Sequence, residues 1–118
     1  MLGLLDVIWI FDLNTRPQKR KMYVCLSYEM GWFMRINTKD TPRPCVPISK
    51  GDNAFLHHDS HIECGILVLD EFEIDEAIRH GGIVGTVHER YKPTILSAQM
   101  GALFISKRDK EALRRILA

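Results

Sequence analysis

Apolar residues fall in two patterns along the chain. As far as residue 69 they come in short runs, too brief for helices; beyond it they recur at helical spacing. Residues 7–11, β-branched and aromatic between Asp6 and Asp12, predict a first strand. A polar loop punctuated by Pro17 covers 14–18. Residues 23–27 predict a second strand, opened by the basic cluster Lys19-Arg20-Lys21. Glu29, Met30 and Gly31 make a tight connection to a half-buried third strand over 32–37. A proline-marked loop over 38–44 leads to a fourth strand over 45–49. Pro47 cannot donate to a ladder, so that strand belongs at a sheet edge or contains a bulge. Residues 50–53 have turn composition, and a fifth strand over 62–69 would align Ile62, Cys64, Ile66 and Val68 on one face.

Helical spacing then takes over. Ile74, Ala77 and Ile78 follow a run of acids and precede the stop signal Gly81-Gly82. Residues 83–87 read as one more strand, and Leu96, Met100, Leu103 and Phe104 fall on one helical stripe. Ser106, three residues before Asp109, caps a last helix with Ala112, Leu113, Ile116 and Leu117 inward and Lys107, Arg108, Lys110, Arg114 and Arg115 outward. The expected fold class is α+β, mainly β: a small antiparallel barrel closed by C-terminal helices, formed by a single domain over residues 1–118.

Composition narrows the function. A chain of 118 residues supports one hydrophobic core. Its formal charge of +1 excludes a global basic field, so any anion-binding surface must be local. The cysteines Cys25, Cys45 and Cys64 are odd in number and lack CxxC spacing. That argues for buried free thiols in a reducing cytoplasm rather than a disulfide framework or a zinc knuckle. The apolar start lacks a basic region and a cleavage site and runs straight into Asp6, so neither a signal peptide nor a membrane span is expected. The expected location is cytoplasmic.

Three places could carry chemistry. Lys19, Arg20 and Lys21 can hold a phosphate and stabilise charge developing on phosphorus, or simply keep a turn polar. Ser49 and Lys50 put a hydroxyl and a cation at a strand end, in a composition that also suits a plain turn. His57, His58, Asp59, Ser60, His61, Glu63 and Cys64 are dense enough to raise metal binding or acid–base service. An extended segment would turn His57, Asp59, His61 and Glu63 one way and His58, Ser60, Ile62 and Cys64 the other, and the spacing matches no familiar zinc pattern. Asp59 and Ser60 can equally serve the backbone.

Taken in order, these runs resemble the MazF/PemK family of toxin–antitoxin toxins. Asp6-Val7-Ile8-Trp9 is similar to the family's opening strand, Lys21-Met22-Tyr23-Val24-Cys25-Leu26-Ser27 to its Arg-Pro-x-Val-Val-Leu-Ser strand, and Cys45-Val46-Pro47-Ile48-Ser49 to its Val-Pro-Val/Cys-Thr strand. The resemblance covers residues 6–69 and implies an SH3-like barrel that forms a homodimer. It implies a metal-independent endoribonuclease with no cofactor, cleaving single-stranded RNA (mRNA) through attack of the 2′-hydroxyl, and a cognate antitoxin as partner. Carried over, Arg20 or Lys21 takes the cationic role and Ser49 the hydroxyl role, with His58 or Asp59 available for proton transfer; Lys19, Arg35, Lys39 and Lys50 would bind RNA. Lysine stands at the family's arginine position, and the Arg-Cys-Asp tripeptide of one branch reads Glu63-Cys64-Gly65. The alternatives are a non-catalytic barrel that binds RNA or a partner peptide, and a metal-dependent hydrolase using His57, His61 and nearby acids.

Overall fold

The computed structural model describes residues 2–12 and 19–118; the loop expected over 14–18 lies outside the described residues. Strands β1 (Asp6–Asp12), β2 (Lys19–Ser27), β3 (Trp32–Asn37), β4 (Cys45–Ile48) and β5 (Ser60–Val68) come first, as the short apolar runs require. Helix α1 (Glu71–Gly81), the two-residue strand β6 (Gly85–Thr86), a 3₁₀ turn (Glu89–Tyr91) and helices α2 (Lys92–Met100) and α3 (Lys107–Ile116) follow. The strands form one curled antiparallel sheet in the order β4-β5-β3-β2-β1-β6. Pro47 therefore lies on an edge strand, where its missing N–H costs no ladder bond.

Period-two alternation divides the strands between two apolar layers. Val7, Val24, Leu26, Met34, Ile36, Val46, Ile48 and Ile62 pack on one face with Ile95 of α2 and Leu113 of α3. Ile8, Ile10, Tyr23, Cys25 and Phe33 pack on the other with Ile74 of α1. Three helices thus cover the sheet from both sides, in the three places where helical spacing was read. Among the described residues no helix is long and apolar enough to cross a membrane.

Local chemistry sets the element ends. Asp70 caps α1 by accepting from the Glu73 amide at 2.8 Å, while the Glu73 carboxylate accepts from the Asp70 amide, a complete capping box. Ser106 accepts from the Asp109 amide at 3.1 Å and starts α3 as expected. Gly31, at φ 69°, turns the chain from β2 into β3, and a Cβ there would lie 2.4 Å from the Leu69 carbonyl oxygen.

Four expectations are corrected. β2 runs from Lys19 rather than from Tyr23, so the basic cluster expected to open the strand forms its first ladder positions, pairing Asp12, Phe11 and Ile10 of β1. The strand expected over 83–87 is reduced to Gly85 and Thr86. Val68 does not share the buried face with Ile62 and Cys64; it is 70% exposed at the last position of β5. α2 stops at Met100, so the stripe through Leu103 and Phe104 is broken and Leu103 is 99% exposed.

Candidate functional site: a basic cleft

The start of β2 and the bends before β5 meet at a cleft of about 280 Å³. Lys19, Arg20, Lys21 and Met22 line one side and His57, His58 and Ser60 another, with Trp9, Ile36 and Thr38 completing it. Two of the three sequence clusters are therefore brought together. The expectation that His57 and His58 point to opposite faces fails because β5 begins only at Ser60, and the two histidines lie in a bend outside the ladder.

Trp9 belongs to this site and was not singled out for it. β1 and β2 pair Trp9 with Met22 and Phe11 with Arg20, which makes Trp9 and Arg20 diagonal neighbours. The guanidinium covers the indole at 5.0 Å from the ring centroid, a cation–π contact that gives the exposed arginine a fixed seat. The available signal was an aromatic residue in the strand that pairs with a basic one.

The hydrogen bonds of His58 assign its tautomer. Nδ1 lies 3.0 Å from the Asp59 carbonyl oxygen, which can only accept, so the neutral ring carries its proton on Nδ1. Ser60 Oγ donates to the His58 carbonyl at 3.1 Å and has its oxygen 3.3 Å from the same Nδ1–H. In that tautomer Nε2 is the unprotonated nitrogen of a ring that lines the cleft with Lys19, Arg20 and Lys21.

Ser49 is elsewhere. Its hydroxyl donates to Asp52 Oδ2 at 3.0 Å and accepts from the Asp52 amide at 3.1 Å, and its amide donates to the Tyr91 hydroxyl at 3.2 Å. Tyr91 in turn donates to Asp52 Oδ2 at 2.7 Å, and Arg90 Nη1 reaches the same oxygen at 3.2 Å. Hydrogen bonds from Tyr91 and then Ser49 hold the Asp52 carboxyl below its ordinary value against the opposing cost of burial, with the Arg90 and His88 charges adding less. Buried Asn53 completes the staple, donating to the Ser49 carbonyl at 2.8 Å and accepting from the His88 amide at 2.8 Å. The Ser49 hydroxyl thus ties the 50–53 turn to the 88–91 turn, and Ser49 does not line the basic cleft.

The remaining candidates divide in the same way. Asp59 Oδ1 accepts from the Lys50 amide at 2.8 Å, a loop-closing contact, and Asp59 is not part of the cleft lining. Arg35 lies 3.6 Å from buried Glu63, which also takes Asn37 Nδ2 at 2.9 Å and Arg43 at 3.6 Å. Lys39 and Lys50 are exposed and do not line the cleft. Among the described residues no three His, Cys, Asp or Glu side chains gather as a metal-binding group. The three cysteines are free thiols, with Cys25 and Cys64 buried.

Compared with known proteins, the chain matches no family model, no curated protein and no solved structure.

Proposed function

We propose that the chain is a MazF/PemK-like toxin, an SH3-like barrel that binds single-stranded RNA in the basic cleft and cleaves it without a metal ion. One observation carries the reading: Lys19, Arg20 and Lys21 share a cleft with His57 and His58. Cations fix a phosphate and stabilise charge on it, and imidazoles move protons near neutral pH.

In this reading His58 Nε2 takes the proton of an RNA 2′-hydroxyl, and the oxygen bonds to the adjacent phosphorus. The bond to the 5′-oxygen breaks, and that oxygen takes a proton from the His57 imidazolium. The products are a 2′,3′-cyclic phosphate and a 5′-hydroxyl. The hydroxyl role that the resemblance gave Ser49 passes to these histidines, because the Ser49 side chain is committed to Asp52. A homodimeric state and a cognate antitoxin belong to the same proposal.

Cleavage of an unstructured RNA in EDTA tests it. Replacing His58 by alanine should slow cleavage about a hundredfold or more, the scale of general acid–base catalysis. An unchanged rate in that variant removes His58 from the mechanism. The commitment of Ser49 favours a second reading, a barrel that binds RNA without cutting it, for which the same assay gives binding and no cyclic-phosphate product.

A further inference from the structure

A second cavity, about 400 Å³, opens between β1 and α1. Its walls are mainly apolar: Trp9 and Phe11 on the strand side, Phe72 and Ala77 on the helix side, with Glu73, Glu76, His80 and Arg20 as the polar lining. Phe11 is 55% and Phe72 72% exposed, large rings left open to solvent beside an opening of ligand size. Trp9 and Arg20 line this cavity and the basic cleft alike, so their stacked pair is a wall common to both.

We propose that this cavity is a nucleobase subsite that receives one guanine of a single-stranded RNA whose phosphate lies in the basic cleft. The proposal rests on the RNA-binding reading above and names the part of the RNA that the second cavity takes. A phosphate group held by Lys19 and Lys21 brings its own nucleoside to the shared wall, where rings and a guanidinium plane offer stacking surfaces. Stacking accepts any base; the carboxylates of the lining select. Carboxylates only accept hydrogen bonds, and guanine presents adjacent donors at N1–H and the N2 amino group. Glu73 uses Oε1 on the Asp70 amide at 3.3 Å and has its other oxygen available. Glu76 is paired with Arg79 and with His80 at 3.0 Å, exposed contacts that a ligand exchanges at little cost.

The experiment uses fluorescein-labelled 2′-O-methyl heptanucleotides, which lack the attacking hydroxyl, with guanine, adenine, uracil or no base at one central position. Affinity is read by fluorescence anisotropy at fixed salt. The guanine strand should bind at least about fivefold tighter than the abasic strand, with adenine and uracil between them. Phe72→Ala, at an exposed position outside the core, and Ala77→Leu, which fills the cavity, should each erase that advantage and leave abasic affinity as it was. Lys19→Ala/Lys21→Ala should weaken all strands alike. No guanine advantage in the wild type, or an advantage that survives both cavity variants, overturns the subsite while the RNA reading stands. Failure to bind any strand, abasic included, overturns the RNA reading itself.

Discussion

The guanidinium of Arg20 lies over the indole of Trp9, 5.0 Å from its centroid, at the place where two cavities share a wall. Arg20→Ala should cost folding about 0.5–1 kcal/mol, the scale of an exposed cation–π contact. Its larger effect should be on RNA affinity. Urea unfolding and oligonucleotide titration on one preparation separate the two, and a loss of stability with full affinity would detach Arg20 from binding.

Affinity for single strands should fall with salt in proportion to the phosphates neutralised, with a log–log slope of about −0.7 for each. Lys19→Ala and Lys21→Ala should each flatten that slope by about one such step. A slope that neither substitution changes means that the phosphates lie elsewhere.

Asp52 couples stability to pH. Its folded-state carboxyl is held below the ordinary value of 3.8 by Tyr91 and Ser49, so its contribution is present above that value and lost as pH falls through the folded one. Asp52→Asn should lower the unfolding midpoint at pH 7, and the gap from wild type should close as pH falls below 3.8. Ser49→Ala should behave in the same direction, losing stability while cleavage by the folded fraction persists. A Ser49→Ala protein that is fully stable yet inactive would restore the hydroxyl role to Ser49.

Burial pushes the Cys25 thiol up to about 12, with Asp6 adding, and does the same to Cys64, with Cys45 and Glu63 adding. Both stay protonated at pH 8 and out of reach of a thiol reagent. Native protein should therefore label first at half-buried Cys45 and at all three positions once unfolded, as peptide mass spectrometry can show. Unfolded thiols ionise near 9.0 and these two only near 12, so stability should decline as pH rises between those values.

Gly31→Ala meets both a positive φ and the Leu69 carbonyl oxygen. The backbone strain alone is worth about 1–3 kcal/mol, and thermal unfolding should register at least that loss. Gly82→Ala meets nothing within 4 Å, yet at φ 66° and ψ −169° it sits in backbone that essentially only glycine adopts, so it should also lose stability, through strain alone. A Gly82→Ala protein as stable as wild type would mean that the backbone there relaxes freely.

Local signals proved legible where one element decides them. The Trp32–Asn37 strand, the edge position forced on Pro47, the Asp70 and Ser106 caps and the Gly82 stop all follow from residues within a turn or a ladder. Most of the errors needed information from far along the chain. β2 starts early because β1 supplies a ladder for Lys19 to Lys21, which no property of those residues announces. Ser49 looked like a free hydroxyl although its main partner, Asp52, is only three positions on; what lay out of sight was Tyr91, 42 positions away, which joins the same carboxylate. The histidines were put on opposite faces by assuming a strand that begins three residues too soon for them. Trp9 entered the site through register alone.

Every residue lining the basic cleft lies at or before Ser60, yet much of what braces that half comes later. Tyr91 and His88 hold the 50–53 turn, Val84 and Val87 donate to the carbonyls of Val7 and Leu5, and Ile95 and Leu113 complete the packing beneath the sheet. Synthesis from the N-terminus therefore delivers the chemistry first and its supports last. A nascent chain halted before residue 84 carries the whole set of charged and imidazole groups without the frame that aligns them. The alignment of the cleft thus depends on the last third of the chain, although none of its lining residues comes from there.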